Sequence, residues 1–515
     1  MTETKQSITV LAMNTLAFTV CFAVWTMNGV LVTFLVEQGV FTWDKGQIGW
    51  LIGIPVLTGS IMRLPIGVLT DKYGGRIVFG VLLLVSAIPT YLLSYASTYS
   101  HFVLGSLGFG LSGASFAVGI AYTSLWFKKE RQGTALGIFG AGNAGSAITS
   151  LAAPWALNSL TNGGEYIDAW RTLPRIYAAA LVVMAVLFLL LTHTKRVEQG
   201  QELTLMQRLA PLKYVRVWRF GFYYFVVFGG FVALAQWLIP YYVSAYGMTV
   251  ALAGLMASIF SFPSGVIRAL GGWMSDKYGA RAVMYWVFGS CLVCFVLLCV
   301  PRMDIESPGA GVMAEKGGTV TEITSEKIVA SGRTYAVLTR PVVESREEGA
   351  LVWPTFTLWQ EPVVKVGDAI VKRQLLAKGI THIYFQANVW IFTFLVFLVG
   401  IMMGIGKAAV YKFIPEYYPT EVGVVGGIVG VIGGLGGFVC PIIFGYLLQA
   451  TGIWTTAWMF FFVVTLAGHL WLHATVRRMM REKAPALARQ IEDRRPLEEM
   501  ADEVPLKPLH PTLKR

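Results

Sequence analysis

A chain of 515 residues that is 55% hydrophobic and only 14% charged, with a mean hydropathy of +0.61, is not built like a soluble domain; it has the make-up of a protein that crosses a bilayer many times. Its formal net charge of +12 needs no nucleic acid to explain it, because the basic residues gather at the margins of apolar runs and in a polar C-terminal stretch. Five cysteines give no disulfide framework, and no P-loop, dinucleotide fingerprint, metal-ligand spacing or nucleophile motif points to an enzyme, a metal site or a cofactor.

A span of about 30 Å of hydrocarbon takes roughly 20 apolar residues. Runs of that kind predict twelve helices, near 8–36, 48–70, 77–97, 100–126, 132–160, 174–193, 217–245, 251–275, 281–300, 385–414, 420–449 and 454–477. The first is too long for a signal-peptide core and shows no cleavage pattern, so it is expected to be retained. An even number of spans puts both termini on one side. Cytoplasmic loops concentrate Lys and Arg, and one set of connections carries Lys72 and Arg76, then Lys128, Lys129 and Arg131, then Lys195, Arg196, Arg208, Lys213, Arg216 and Arg219, then Lys277 and Arg281. The short loops of the other set carry only Lys45, Arg171 and Arg175, so both termini are expected in the cytoplasm.

The expected organisation is a first six-helix half (1–194), a cytoplasmic linker (195–216), helices seven to nine (217–300), an extracytoplasmic insert (301–380), helices ten to twelve (381–478) and a proline-rich cytoplasmic tail (479–515). The insert carries charges, prolines and alternating stretches such as TYAVLT and PVVKVGDAIV, which predict β-strands. Its VKVGDAIVKRQLLAKG stretch is similar to lipoyl or biotinyl carrier hairpins, but no lysine sits in a modification turn, so a cap or a docking loop is expected. Cys291 and Cys294 form a CxxC inside an apolar helix and read as core packing. His469 and His473, four apart on the last helix, have no partner pair on another helix and read as interfacial.

One phrase is written twice. RLPIGVLTDKYGGR begins at Arg63 and RALGGWMSDKYGAR at Arg268, which predicts two pseudo-symmetric halves. Asp71, Arg76, Asp276 and Arg281 fall at helix ends in these copies, where acids and bases suit a gating latch better than a substrate contact. Arg63 and Arg268 each lie about seven residues, or roughly 10 Å, inside the cytosolic end of a helix, beyond comfortable snorkelling reach. An arginine at such depth costs on the order of 3 kcal/mol even on a lenient scale, so it is expected to face an interior cavity and a partner. The predicted spans offer no central carboxylate: Glu37, Asp71, Asp276 and Glu416 all fall at edges. Two central cations without counter-ions predict a site completed by an anion, and the planar guanidinium fork suits a planar oxyanion.

Two helices are unusually rich in glycine. FGAGNAGSAITSLAAP on helix five contains Gly140, Gly142 and Gly145, and GVVGGIVGVIGGLGGF on helix eleven contains Gly430, Gly433, Gly434, Gly436 and Gly437. Gly423, Gly427, Gly430, Gly434 and Gly437 make a bare stripe along one face, which predicts close helix packing and leaves substrate contact open.

With the AGNAGS stretch, the GGLGGF stretch, the single arginines of helices two and eight, and the DKYGxR loops, the sequence resembles the nitrate/nitrite porter family of the major facilitator superfamily over roughly 8–300 and 385–477. The resemblance implies an all-α membrane protein of the major facilitator fold, with 12 transmembrane helices in two six-helix halves, in the cytoplasmic (inner) membrane. It further implies that Arg63 and Arg268 clamp nitrate or nitrite, that Asn143 donates a hydrogen bond to it, and that Phe116, Tyr224 and Phe228 sandwich the flat anion. No catalytic residue, cofactor or nucleic acid is implied, and a monomer in contact with membrane lipid is expected.

Coupling is less direct. The lack of a central carboxylate fits exchange of nitrate for nitrite. GIGKAAVYKFIPEYYP on helix ten, however, contains Lys407, as deep as the arginines, and is similar to the branch associated with proton-coupled uptake. Lys407 is therefore a candidate proton carrier, with Glu416 near the cytosolic exit as a second, and symport is preferred over antiport. A lysine snorkelling to the inner face beside Lys412 is the competing expectation. Two further classes stay open: a transporter of another small anion such as formate, and a membrane sensor that binds anion without moving it.

Overall fold

A computed structural model describes residues 3–195, 209–340, 353–418 and 422–483. Most of the expected linker, including Arg196 and Arg208, and the tail beyond Lys483 lie outside the described residues. The long helical rods, in chain order, are α1 (Lys5–Glu37), α2 (Lys45–Tyr73), α3 (Gly75–Tyr95), α4 (Tyr99–Ser124), α5 (129–160), α6 (Ile167–Leu191), α7 (Val215–Tyr246), α8 (Val250–Val266 and Arg268–Tyr278), α9 (Ala280–Leu298), α10 (Val389–Tyr417), α11 (Val424–Thr451) and α12 (Thr456–Glu482). Ten are long and apolar enough to cross a membrane, and α8 is an eleventh when its two segments, bent by 46°, count as one span. Rod α5 opens on a charged stretch, and its apolar part is split by a short turn at Ala141–Ala144.

Hydrophobicity alone cannot tell these helices which face to turn inward, because lipid is as apolar as a neighbouring helix. Small residues decide it. Rod α2 lies along α11 because a Cβ on Gly49 or Gly53 would strike the carbonyls of Pro441 and Phe438. In the same way Gly254 of α8 lies against Ser150 and Pro154 of α5, and Gly265 against Asn143 and Ala144. These two seams join the halves. Among the ten spans, α7 is the most enclosed and α12 the least. Helices α3, α6, α9 and α12 turn large apolar side chains outward, such as Ile88, Leu190, Val293 and Val463.

Several rods are interrupted near the centre. The break in α2 falls at Met62, where Pro65 cannot donate to the carbonyl of Ile61. The bend in α8 falls at Ile267, just after Pro263 and the Ser264–Gly265 pair. Each break sets an arginine, Arg63 or Arg268, as the first residue of the next helical segment. In α7 the residues Phe225–Gly229 form a π-helical turn, a local widening often found at functional sites.

Between α9 and α10 stands the expected β-rich insert, with strands β1 (Met303–Met313), β2 (Gly318–Ile323), β3 (Lys327–Ala330), β4 (Arg333–Ala336), β5 (Thr355–Pro362), β6 (Ala369–Ile370) and β7 (Leu375–Phe385). They make two sheets, in the orders β1–β7–β5 and β4–β3–β2–β6, around a small core that includes Val320, Ile328, Ile370 and Leu376. The sheet runs on to Phe385, where the sequence placed the start of helix ten. Asn388 then caps α10 by accepting from the backbone N–H groups of Trp390 and Ile391, which is why the helix begins four residues later than its apolar run. Gln386 Nε2 donates to Ala245 O at 2.9 Å and ties the insert to the end of α7.

Candidate functional site

The breaks in α2 and α8 deliver both arginines to one place. Arg63 and Arg268 are 3% and 9% exposed, and their guanidinium carbons lie 5.2 and 5.5 Å from the centroid of the same ring, Phe116 of α4. Arg63 also lies over Phe228 at 5.2 Å and Trp25 at 5.7 Å, and Arg268 over Tyr411 at 5.4 Å. Aromatic faces attract cations, but weakly beside the cost of taking charge out of water. No Asp or Glu is buried among the described residues; the buried charges are Arg63, Arg268 and Lys407.

Each arginine crosses to the opposite half. Arg63, on α2, donates through Nη1 to the carbonyl of Gly430 on α11 at 2.6 Å. Arg268, on α8, lays its side chain on α5, where a Cβ on Gly140 would come within 3.1 Å of its Cδ. Glycine is needed at these points for different reasons. Ala at Gly434 would press on Ser60 and come within 3.3 Å of Arg63 Nη1, and Ala at Gly433 would run into the Tyr224 ring. Gly436 and Gly437 meet α7 at Gly229 and Val232, while Gly142 and Gly145 seat α5 on α1 at Phe18 and Thr19. The glycine-rich faces therefore both pack helices and make room for Arg63 and Arg268.

Tyr224 stacks on Phe228 with ring centroids 4.8 Å apart and meets Tyr411 edge-on at 4.9 Å, and Phe116 lies 6.2 Å from Phe228 and 6.3 Å from Tyr411. The three aromatic residues named from the resemblance thus stand together around the arginines. Asn143 sits in the Ala141–Ala144 turn, fully buried, and neither amide atom has a hydrogen-bond partner among the described residues. Arg63 Nε, Arg268 Nη1 and the hydroxyl of Ser60 are likewise buried and without a partner among the described residues. Buried polar atoms left unpaired cost about 1–3 kcal/mol each, and an acceptor reaching these donors would relieve that cost.

Lys407 does not snorkel. It is fully buried, its Nζ donates to Ser264 Oγ at 3.2 Å and lies 3.6 Å from the centroid of the Phe231 ring. Lys412, five residues on, is the one at the helix end, and it pairs with Asp276 at 2.5 Å. Arg76 donates to Leu189 O at the end of α6, through Nε at 3.2 Å and Nη2 at 2.5 Å, and Arg281 donates to Tyr417 Oη at 2.5 Å. The two copies of the loop therefore brace different elements. Glu416 is exposed at the end of α10. His473 Nδ1 lies 3.2 Å from Tyr285 Oη and the His469 ring meets Tyr285 edge-on, an aromatic cluster at the margin of the bundle.

Sequence reasoning missed Trp25, Ser60, Ser264, Phe231, Tyr411 and the Gly430 carbonyl. Tyr411 stood within the quoted GIGKAAVYKFIPEYYP, four residues after Lys407 and hence on the same helix face, which is the one signal that marked it.

Comparison with known proteins adds an independent line. A family model described as Major Facilitator Superfamily matches residues 14–314 and 375–510. A Thermus thermophilus protein named "Probable nitrate/nitrite antiporter NarK1" is 37% identical over 494 residues, covering 95% of this chain and 96% of its own length. The Bacillus subtilis "Nitrite extrusion protein" is 25% identical over 472 residues, 90% of this chain and 94% of its own. Among solved structures, the nucleoside transporter NupG superposes with a TM-score of 0.56 at 13% identity, over 90% of this chain and 99% of that one, a likeness of fold alone.

Proposed function

The chain belongs to the nitrate/nitrite porters of the Major Facilitator Superfamily, and from that membership we propose that it carries nitrate or nitrite across the cytoplasmic membrane by alternating access, with Arg63 and Arg268 as the anion's ligands. The observation that carries this reading is the pair of buried guanidinium groups over one phenyl ring, each reaching into the opposite half, with no buried carboxylate nearby. A planar monovalent oxyanion between them accepts from Arg63 Nε, Arg268 Nη1 and the Asn143 amide, with Phe116 and Phe228 along its faces. Because Arg63 and Arg268 belong to different halves, the anion lowers the repulsion between them, and closure is coupled to occupancy. The Asp276–Lys412 pair and the Arg76 and Arg281 contacts each tie helix ends within one half, so they act on gating as latches that keep each half rigid while the halves rock, and both termini lie in the cytoplasm.

Symport with protons is the preferred coupling. One anion leaves an excess of positive charge among Arg63, Arg268 and Lys407, and lysine alone of the three can shed its proton in an apolar setting. Lys407, held between Ser264 and Phe231, then carries a proton with each anion. Exchange of nitrate for nitrite is the second reading, favoured by the name of the Thermus relative. The test is flux of nitrate, nitrite and formate into proteoliposomes, with and without an inward proton gradient and internal nitrite. Nitrate uptake enhanced by the gradient supports symport, and uptake that ignores the gradient but requires internal nitrite assigns exchange. Equal uptake of formate and nitrate removes the nitrate reading, and binding without flux makes the protein a sensor.

A further inference from the structure

A second set of arginines lies outside the central site, on the flank of the second half where α7, α9, α10 and α12 meet. A shallow pocket there is lined by Arg219 and Tyr223 of α7, Arg281 of α9, Tyr417 of α10 and Thr475 of α12. Arg216, one turn before Arg219, lies over the Tyr417 ring at 4.6 Å and adds a third cation. Arg219 Nη1 donates to Thr475 Oγ1 at 2.8 Å, and Arg281 Nη2 to Tyr417 Oη. A guanidinium has five N–H donors, so one bond each leaves most of their capacity open. Among the described residues none of the three arginines is ion-paired with a carboxylate. Tyr223, 1% exposed, is one of the residues lining the same pocket, and its buried hydroxyl has no hydrogen-bond partner among the described residues.

The matching place in the first half shows what is different. There Arg76, the counterpart of Arg281 in the repeated loop, spends Nε and Nη2 on the carbonyl of Leu189, because α6 stops at Leu191 and leaves its last carbonyls free. Helix α12 instead continues to Glu482, so its carbonyls at this level are taken by its own backbone, and Arg281 turns to a tyrosine. The exposed apolar side chains of α9 and α12, among them Trp286 and Leu470, place the flank in contact with lipid.

We propose that this pocket binds a phosphoryl oxyanion, supplied by the headgroup of an anionic membrane lipid or free in solution, which bridges Arg216, Arg219 and Arg281 and accepts from the Tyr223 hydroxyl. A tetrahedral phosphate has the several acceptors that converging arginine forks require, and bridging α7 to α9 and α12 stiffens the second half at its cytoplasmic margin. The proposal rests on the cytoplasmic placement of that end and is independent of the central anion site.

The test uses the purified full chain in neutral detergent, titrated with dioctanoyl phosphatidylglycerol, dioctanoyl phosphatidylcholine, inorganic phosphate or nitrate while thermal unfolding is followed. Phosphatidylglycerol or inorganic phosphate is expected to raise Tm, and the more potent of the two identifies the source. Arg219→Gln and Tyr223→Phe are each expected to raise the half-saturating concentration roughly ten-fold, the worth of a charge-assisted hydrogen bond, while the shift given by nitrate at the central site stays as in the wild type. Equal shifts from phosphatidylglycerol and phosphatidylcholine with none from phosphate, or an unaltered titration in the Tyr223→Phe protein, which loses only a hydroxyl, would overturn the proposal. Loss of the nitrate shift with the phosphoryl shift intact would count against the central site and leave this one standing.

Discussion

Replacing Arg63 by lysine separates charge from geometry. The positive charge stays, so long-range attraction for an anion is kept. What goes is the planar fork, which in the wild type spends Nη1 on the Gly430 carbonyl at 2.6 Å and keeps Nε unpartnered. An ammonium is a single point of donation on a flexible stem and cannot serve a carbonyl of α11 and an in-plane anion from the same side. The loss is one charge-assisted hydrogen bond, about 1.5–3 kcal/mol, or roughly 10- to 150-fold in affinity. We expect Arg63→Lys, and equally Arg268→Lys, to stay folded and monodisperse in detergent while nitrate flux in proteoliposomes falls to background at wild-type KM concentrations. Nitrate binding followed by thermal shift should weaken by the stated factor. If both variants bind and transport nitrate within about three-fold of wild type, a difference below ~1 kcal/mol, the clamp is wrong whatever the two side chains look like.

Gly434→Ala sets a Cβ 3.0 Å from the Cβ of Ser60 and 3.3 Å from Arg63 Nη1. Overpacking of this kind costs about 1–3 kcal/mol, so nitrate affinity should drop by roughly ten-fold, and Ser60→Gly in the same chain should restore part of it; an uncoupled pair of effects would show that the glycine serves packing only. Asn143→Ala removes an amide with no partner in the protein, so Tm in the absence of anion should hold or rise, while nitrate binding weakens about five- to ten-fold; a fall in Tm without change in binding would make Asn143 structural. Lys407→Gln should erase any stimulation of uptake by an inward proton gradient, read as the ratio of initial rates with and without it, and a ratio unchanged from wild type would remove Lys407 from coupling. Asp276→Asn breaks a pair whose side chains are 64% and 39% exposed. Its cost in stability should stay below about 1 kcal/mol, while flux changes several-fold at constant nitrate affinity; unchanged flux would show that the pair is no latch.

Much of this was legible in the residues themselves. The paired RLPIGVLTDKYGGR and RALGGWMSDKYGAR phrases disclosed two related halves, and the lack of carboxylates in the apolar runs set Arg63 and Arg268 apart as central cations without an acidic partner. Hydropathy located the helices because desolvating a charge is so costly that charged residues mark the edges of every span. The same principle failed at the insert's exit: Ile383, Tyr384 and Phe385 are apolar yet belong to β7, since backbone pairing with β1 and β5 competes for them.

What the sequence could not supply was which aromatic meets which cation. With 31 Phe, 21 Tyr and 16 Trp spread over the chain, periodicity has no way to single out Trp25 or Tyr411, because in lipid a helix may be apolar on every side and no moment points inward. The bond from Arg63 to the Gly430 carbonyl joins residues 367 positions apart, and no side chain at 430 announces it. Lys407 makes the same point, as its local sequence allowed either an escape to the inner face or burial. Only the packing of α10 against Ser264 and Phe231 decided for burial. Local chemistry, then, determined the spans, the repeat and the unpaired charge, whereas close contact between helices distant in the chain decided what surrounds that charge.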